Sequence, residues 1–121
     1  MSVENITAQD LRKKLKNNPD DLEIIDVREK DEYDLIHIKG SKLISMNQLT
    51  NRLDEINWDK EVVFICRSGS RSSLMANLAS DLTKQDIKNL NYGIYECFKD
   101  DNGEFLEGDF LNENQGVGNY F

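Results

Sequence analysis

Residues 62–73 read VVFICRSGSRSS, and this stretch decides how the chain folds. It begins with an unbroken run of apolar residues, Val62 to Cys66, which is typical of a strand buried on both faces of a sheet. A polar turn containing Gly69 follows, and the next residues predict an amphipathic helix over about residues 71–82. The helix prediction rests on three leucines at four-residue spacing, Leu74, Leu78 and Leu82. The stretch therefore predicts a strand, a tight turn and a helix, with a cysteine at the carboxyl end of the strand.

Strands and helices alternate through the rest of the chain as well. The apolar run over residues 22–27 predicts a second buried strand, and shorter strands are expected over residues 42–46 and 87–90. The predicted helices lie over about residues 8–17, 28–36, 48–56 and 94–98, the first of them capped by Thr7. This alternation indicates an α/β domain with a mostly parallel sheet.

Composition limits the partners and the compartment. The chain has 121 residues, the size of one domain, and its net charge is −8. An acidic surface disfavours nucleic acids and anionic membranes, so neither is expected as a partner. No apolar run is long enough to span a bilayer and the first residues show no secretory signal, so a cytoplasmic location is expected.

The chain has two cysteines, Cys66 and Cys97, and a single histidine, His37. The cysteines form no C-x-x-C pair, and one histidine is too few for the usual structural zinc sites. We therefore predict no metal site and no cofactor, and two free thiols.

Cys66 lies where parallel α/β sheets bind ligands, at the carboxyl end of a buried strand. The turn after it can aim several backbone N–H groups at one point, and the start of a helix adds positive potential, so both favour a thiolate or a persulfide. Arg67 and Arg71 add cations suited to an oxyanion such as a thiosulfonate. The alternative is an inert core cysteine, but it leaves unexplained the two arginines, three serines and one glycine of residues 67–72. We interpret Cys66 as a reactive cysteine.

The length of the loop discriminates between chemistries. Four residues separate Cys66 from Arg71, one fewer than in the Cys-x5-Arg loop of the cysteine phosphatases. A smaller ring of N–H groups suits one extra sulfur atom better than a tetrahedral phosphate. A phosphatase is therefore the weaker alternative.

Three segments together carry a resemblance to a known family. Residues 26–33, DVREKDEY, are similar to a D-V-R-x-x-x-E-Y pattern, and residues 37–41, HIKGS, resemble H-I-P-G-A. Residues 66–72, CRSGSRS, resemble the active loop C-x-x-G-x-R-S. The order and spacing of the three fit the single-domain rhodanese-like sulfurtransferases over about residues 6–98.

The resemblance implies a five-stranded, mostly parallel sheet flanked by helices on both faces. It implies that Cys66 takes sulfane sulfur from thiosulfate or a persulfide donor, holds it as a persulfide, and passes it to a thiol or cyanide acceptor, or to an acceptor protein. The loop would bind these substrates through Arg67, Ser68, Gly69, Ser70 and Arg71. A second hypothesis stays open, in which the chain is a sulfur carrier or a sensor of reactive sulfur that acts on a protein partner without turnover.

The same resemblance divides the chain. Residues 1–99 would form the rhodanese-like domain, and residues 100–121 an acidic, aromatic C-terminal extension that is either packed on it or flexible. Within the domain, Lys39 and Ser41 stand where proline and alanine are usual, and Tyr92 and Cys97 where a glycine and a tryptophan are usual. Cys97 is either a resolving thiol for the persulfide or a core residue, and its apolar neighbours favour the core.

His37 is the one candidate for a base that would activate the cysteine. Its segment is structural in the family, so we predict that it supports a turn and that no side-chain base acts on Cys66. Asp26 and Arg28 lie at the end of the second buried strand, and the resemblance implies that they form an ion pair that braces the loop region.

Overall fold

The structure is a computed structural model that describes residues 2–114. Strands and helices follow one another as β1 (Val3–Ile6), α1 (Ala8–Asn17), β2 (Leu22–Asp26), α2 (Lys30–Leu35), β3 (His37–Ile38), β4 (Lys42–Leu43), β5 (Glu61–Ile65), α3 (Ser70–Thr83), β6 (Ile87–Leu90), α4 (Gly93–Cys97), β7 (Leu106–Glu107) and α5 (Asp109–Asn114). Short 3-10 helices are formed by Pro19–Asp21, Met46–Asn51 and Leu53–Glu55. Among the described residues, no helix is long and apolar enough to cross a membrane.

Five of the strands form one parallel sheet in the order β1-β6-β5-β2-β4. β5 lies at its centre, where Phe64 is in register with Ile25 of β2 and with Asn89 of β6. Because all these strands run in the same direction, the residues that follow β2 and β5 meet at one edge of the sheet. The predicted five-stranded parallel sheet is confirmed.

Alternate residues of β5 face two separate hydrophobic cores. Val63 and Ile65 lie in one core, which also contains residues of α1 and α4, whereas Phe64 and Cys66 lie in the other, beneath α3. This alternation follows from the two-residue repeat of a strand. Helices therefore cover both faces of the sheet, as predicted.

Helix α3 is formed where the leucine spacing predicted it, but the leucines lie on its outer side. Leu74 is 61% exposed and Leu82 is 56% exposed. The residues of α3 that face the sheet are mostly small, and they are Ser72, Met75, Ala76, Ala79 and Ser80. Small residues on the inner side let the helix lie close to the strands, and the larger leucines are left outside.

The segment between β4 and β5 differs from the prediction. The helix predicted over residues 48–56 is two short 3-10 helices, because Arg52, with φ −127°, interrupts the helical backbone between them. The strand predicted over residues 42–46 is regular only in β4, although the Ile44 and Met46 N–H groups still donate to the backbone carbonyls of Asp26 and Val27.

Residues 101–111 pack on the domain. β7 pairs with β3 in a separate antiparallel sheet, and Leu106 is buried in the same core as α1 and α4. The buried Asp101 carboxylate accepts hydrogen bonds from the backbone N–H groups of Gly103, Phe105 and Leu106. The last part of the predicted extension, residues 115–121, lies outside the described residues.

Candidate active site around Cys66

Cys66 follows the last residue of β5 and is 0% exposed. Its Sγ atom accepts hydrogen bonds from the backbone N–H groups of Gly69, at 3.0 Å, and Ser72, at 3.4 Å. The Ser72 hydroxyl oxygen also lies 3.4 Å from Sγ. Because these N–H groups point at the sulfur from the first turn of a helix, the arrangement stabilises negative charge on it.

Gly69 makes the tight turn between the cysteine and α3. Its φ of 97° lies in the left-handed region, and a Cβ atom there would come within 3.2 Å of the Leu90 carbonyl oxygen and the Tyr92 nitrogen. Glycine therefore meets both requirements of the position, the backbone angle and the close approach.

The start of α4 holds the loop from the other side. The N–H groups of Ile94 and Tyr95 donate to the carbonyl oxygens of Cys66 and Arg67, both at 2.9 Å. Gly93 has φ 69°, and a Cβ atom on it would lie 2.4 Å from the Arg67 carbonyl oxygen. Gly93 thus supports the loop, although only its neighbour Tyr92 was singled out in the sequence.

The outer part of the loop is exposed. Ser68 Oγ lies 3.3 Å from Ser70 Oγ, and the Arg67 guanidinium lies 5.1 Å from the centre of the Tyr95 ring. A groove of about 410 Å³ opens beside these residues, and it is lined by Ser68, Tyr92, Tyr95 and Glu96. The groove gives a small molecule or a peptide a place to lie next to the loop.

Arg71 does not point freely into solvent. Its two terminal nitrogens donate to the two carboxylate oxygens of Glu32 in α2, at 2.8 and 2.9 Å. The hydrogen bond from Arg71 lowers the pKa of Glu32 from 4.5 to about 2. Glu32 was visible in the sequence only as the E of the D-V-R-x-x-x-E-Y pattern, and its contact with the loop required the fold.

The predicted ion pair of Asp26 and Arg28 is formed, and both side chains are buried. Arg28 Nη2 lies 2.8 Å from the Asp26 carboxylate and also donates to the Ile36 carbonyl oxygen at 2.7 Å. The pair ties the end of β2 to the end of α2, the helix that carries Glu32.

A second buried polar contact involves residues that the sequence did not single out as functional. The Ser72 hydroxyl lies 2.5 Å from Asn89 Oδ1 of β6, and Asn89 Nδ2 donates to Asn5 Oδ1 at 3.0 Å and to the Gly69 carbonyl oxygen at 3.4 Å. Ser72 is 0% exposed and Asn89 is 2% exposed.

Comparison with known proteins places this geometry in a family. A family profile described as a rhodanese-like domain matches residues 7–100. The chain belongs to the rhodanese-like domain family. Its five-stranded parallel sheet with flanking helices is thus the fold of a rhodanese-like domain.

The relatives and solved structures agree with this assignment. The Bacillus subtilis protein named "Putative sulfurtransferase YtwF" is 34% identical over 75% of this chain and 84% of its own length. "Putative sulfur carrier protein YrkF", also from Bacillus subtilis, is 33% identical over 72% of this chain, and the match spans only 45% of that protein. The crystal structure of a rhodanese-related protein from Thermoplasma volcanium is 25% identical, covers 88% of this chain and 99% of its own, and has a TM-score of 0.74. These similarities support sulfur transfer in general terms.

In this rhodanese-like domain the single histidine has structural contacts. His37 Nδ1 hydrogen-bonds the Tyr33 carbonyl oxygen at 2.7 Å, Nε2 lies 3.1 Å from the Glu107 carboxylate, and the ring stacks on Tyr33. Both ring nitrogens are therefore engaged by groups other than Cys66, in agreement with the structural role predicted for His37.

Cys97 is a core residue of the domain. It packs with Ile94 and Phe98 in the core on the opposite face of the sheet from Cys66, and its thiol donates to the Asn91 carbonyl oxygen at 3.2 Å. Burial raises the pKa of the Cys97 thiol from 9.0 to about 11. The thiol is therefore protonated at neutral pH, which fits packing better than a resolving role.

Proposed function

We propose that the chain is a sulfurtransferase that moves sulfane sulfur from thiosulfate or a persulfide donor to a thiol or cyanide through a persulfide on Cys66. The observation that carries the proposal is the position of Cys66 Sγ at the end of the central strand. There it accepts hydrogen bonds from the backbone N–H groups of Gly69 and Ser72. Such a ring of donors suits a thiolate and, after transfer, the terminal sulfur of a persulfide.

In the first step, the Cys66 thiolate attacks the outer sulfur of the donor. A sulfur–sulfur bond forms to Cys66 while the donor's own sulfur–sulfur bond breaks. The electron pair of the broken bond leaves with sulfite when thiosulfate is the donor, or with a thiolate when the donor is a persulfide.

In the second step, an acceptor thiolate or cyanide attacks the terminal sulfur on Cys66. The new bond forms to the acceptor, and the Cys66 thiolate leaves with the electron pair of the persulfide bond. The products are a new persulfide or thiocyanate, and the enzyme returns to its starting state with no external oxidant or reductant.

The loop residues have different parts in this proposal. Arg67, Ser68 and Ser70 are exposed and would meet the donor, with Arg67 attracting its negative charge. The Arg71 guanidinium is paired with Glu32, so it would contribute a fixed positive potential next to Cys66 rather than bind the donor through its N–H groups. Because Cys66 is buried, the segment from Arg67 to Ser70 must admit the donor sulfur.

Steady-state assays of thiosulfate sulfurtransferase activity, with cyanide and with a small thiol as acceptors, test the proposal. Cys66→Ser removes the nucleophile and is expected to abolish turnover, whereas the matched control Cys97→Ser is expected to retain most of it. Full activity in Cys66→Ser would retire the proposal.

A second function, sulfur carriage without turnover, is favoured by one observation. A relative that matches most of this chain bears the name of a sulfur carrier protein, and the match spans under half of that relative. A carrier would gain sulfur on Cys66 in a stoichiometric amount and release it only to a protein acceptor. Negligible turnover with small acceptors, together with sulfur loading of Cys66, would favour the carrier over the enzyme.

A further inference from the structure

The hydroxyl group of Ser72 faces more acceptors than it can satisfy. It carries one proton, yet the Asn89 Oδ1 atom lies 2.5 Å from its oxygen, the Gly69 carbonyl oxygen 3.3 Å, and Cys66 Sγ 3.4 Å. The shortest distance and the oxygen acceptor both favour Asn89. When Cys66 is a thiol, the Ser72 proton therefore points to Asn89, and a lone pair of the hydroxyl oxygen is left facing the sulfur.

The orientation of the Asn89 amide is fixed by its other contacts. Its Nδ2 atom donates to Asn5 Oδ1 and lies 3.4 Å from the Gly69 carbonyl oxygen. Turning the amide over would place two oxygen acceptors against each other at Gly69 and would present an N–H group to Ser72. Because the backbone carbonyl can only accept, the amide keeps Oδ1 towards Ser72.

These contacts act differently on the thiol and on the thiolate of Cys66. A thiol can donate its proton to the lone pair of Ser72, so this arrangement satisfies every group. The Ser72 proton would stabilise a thiolate beyond the two backbone N–H groups, but turning that proton to the sulfur would leave Asn89 Oδ1, in a buried setting, without a donor. Asn89 thus opposes formation of the thiolate.

We infer that Asn89 is a positioning residue that acts on Cys66 through the single proton of the Ser72 hydroxyl, holding that proton away from the sulfur and so disfavouring the thiolate. The inference rests on the proposed function only in taking Cys66 as the reactive sulfur. Ser72 and Asn89 thereby join the residues that govern the reactivity of Cys66.

Charged groups on the surrounding elements also act on the sulfur. Arg71 of α3 lies near Cys66 and is paired with Glu32 of α2, the ion pair of Asp26 and Arg28 follows β2, and Arg67 lies in the loop itself. The variants below leave all of these groups in place. Their fields therefore contribute equally to each titration that is compared.

The test is a double-mutant cycle in which the thiolate of Cys66 is titrated by its ultraviolet absorbance, with Cys66→Ser subtracted. Asn89→Ala removes the competing acceptor, so the midpoint of the titration is expected to fall by about half a pH unit, roughly a threefold gain in thiolate below the midpoint. In a Ser72→Ala background the same Asn89 substitution is expected to leave the midpoint in place, because no hydroxyl proton remains to be shared.

A purely structural role for Asn89 gives a different result. Its bond to the Gly69 carbonyl would be lost in both backgrounds, so the midpoint would move equally with and without the Ser72 hydroxyl. Equal shifts in the two backgrounds would overturn the inference. So would a rise in the midpoint, or an unchanged midpoint, when Asn89 is replaced in the chain that keeps Ser72. If Asn89→Ala does not fold, Asn89→Val, which suits a strand and also lacks an acceptor, replaces it in the same cycle.

Ser80→Ala provides the matched control. Ser80 is another buried serine of α3, and its hydroxyl donates to the Gln85 carbonyl oxygen at 2.7 Å. Its loss is expected to leave the Cys66 titration unchanged. Because the titration requires no sulfur transfer, absence of sulfurtransferase activity would retire the proposed function without deciding the role of Asn89.

Discussion

The pair of Glu32 and Arg71 joins α2 to the active loop, and replacing Glu32 with glutamine tests how strongly it does so. Glutamine keeps the shape of the side chain and one carbonyl oxygen, but it removes the charge and one of the two acceptors that Arg71 uses. We expect Glu32→Gln to lower the free energy of unfolding at neutral pH.

The size of the effect follows from the shift of the Glu32 pKa, from 4.5 to about 2. A shift of about 2.5 units corresponds to about 3.4 kcal/mol if none of it is screened. The Glu32 and Arg71 side chains are 24% and 33% exposed, so solvent screens the pair. We therefore expect Glu32→Gln to lower the free energy of unfolding by about 1 kcal/mol. This corresponds to a decrease of roughly half a molar in the urea concentration at the unfolding midpoint.

The pH dependence has a definite sign. Because folding lowers the Glu32 pKa, the stabilisation is fully present above pH 4.5 and is lost as the pH falls through about 2. The difference in unfolding free energy between wild type and Glu32→Gln is expected to shrink at about pH 3 to less than roughly half of its neutral value.

Urea unfolding followed by circular dichroism, at neutral pH and near pH 3, measures this difference. Glu55→Gln is the matched control, because Glu55 also binds an arginine through both oxygens, but on the open surface. It is expected to shift the unfolding midpoint less than Glu32→Gln does. A difference between wild type and Glu32→Gln that is as large at low pH as at neutral pH would refute the reasoning.

Four further substitutions test other features by urea unfolding. Arg28→Met leaves the Asp26 carboxylate buried without its cation, and it is expected to cost about 3–5 kcal/mol; a loss below about 1 kcal/mol would contradict a structural ion pair. Tyr92→Gly relieves the left-handed backbone at φ 67° and removes a side chain that is 66% exposed, so a gain of about 0.5–1 kcal/mol is expected, and a loss would argue against strain. Leu74→Gln, on the exposed side of α3, is expected to change stability by less than about 0.5 kcal/mol, whereas Met75→Ala is expected to cost about 2 kcal/mol or more; the reverse order would show that the two sides of α3 are assigned wrongly.

The sequence was sufficient for most of the fold because its buried strands are continuous apolar runs. Both β2 and β5 were predicted to within one residue at each end. The parallel arrangement of the sheet was also predicted. The orientation of α3 was not predictable from leucine spacing, since its inner side is built from small residues such as Ala76 and Ala79. Residue size near a closely packed sheet decided that orientation, and a hydrophobic periodicity does not measure size.

The candidate site also has a part that the sequence predicts and a part that depends on the fold. The loop from Cys66 to Ser72 is contiguous in sequence, so its cysteine, glycine and arginines could be recognised together. Glu32 and Asn89 come from other elements, and they approach the loop only because α2 and β6 are placed next to it by the sheet order. Contacts of this kind depend on the topology, and a single sequence carries no local signal for them.

The central claim is that Cys66 carries sulfur, and intact-mass spectrometry after incubation with thiosulfate tests it most directly. The account predicts a gain of one sulfur atom, about 32 Da, in the wild-type chain, and its loss on reduction with a thiol. Cys97→Ser should gain the same mass, and Cys66→Ser should gain none. A wild-type chain that stays unmodified by thiosulfate and by a persulfide donor, or a Cys66→Ser chain that gains the sulfur, would contradict the account.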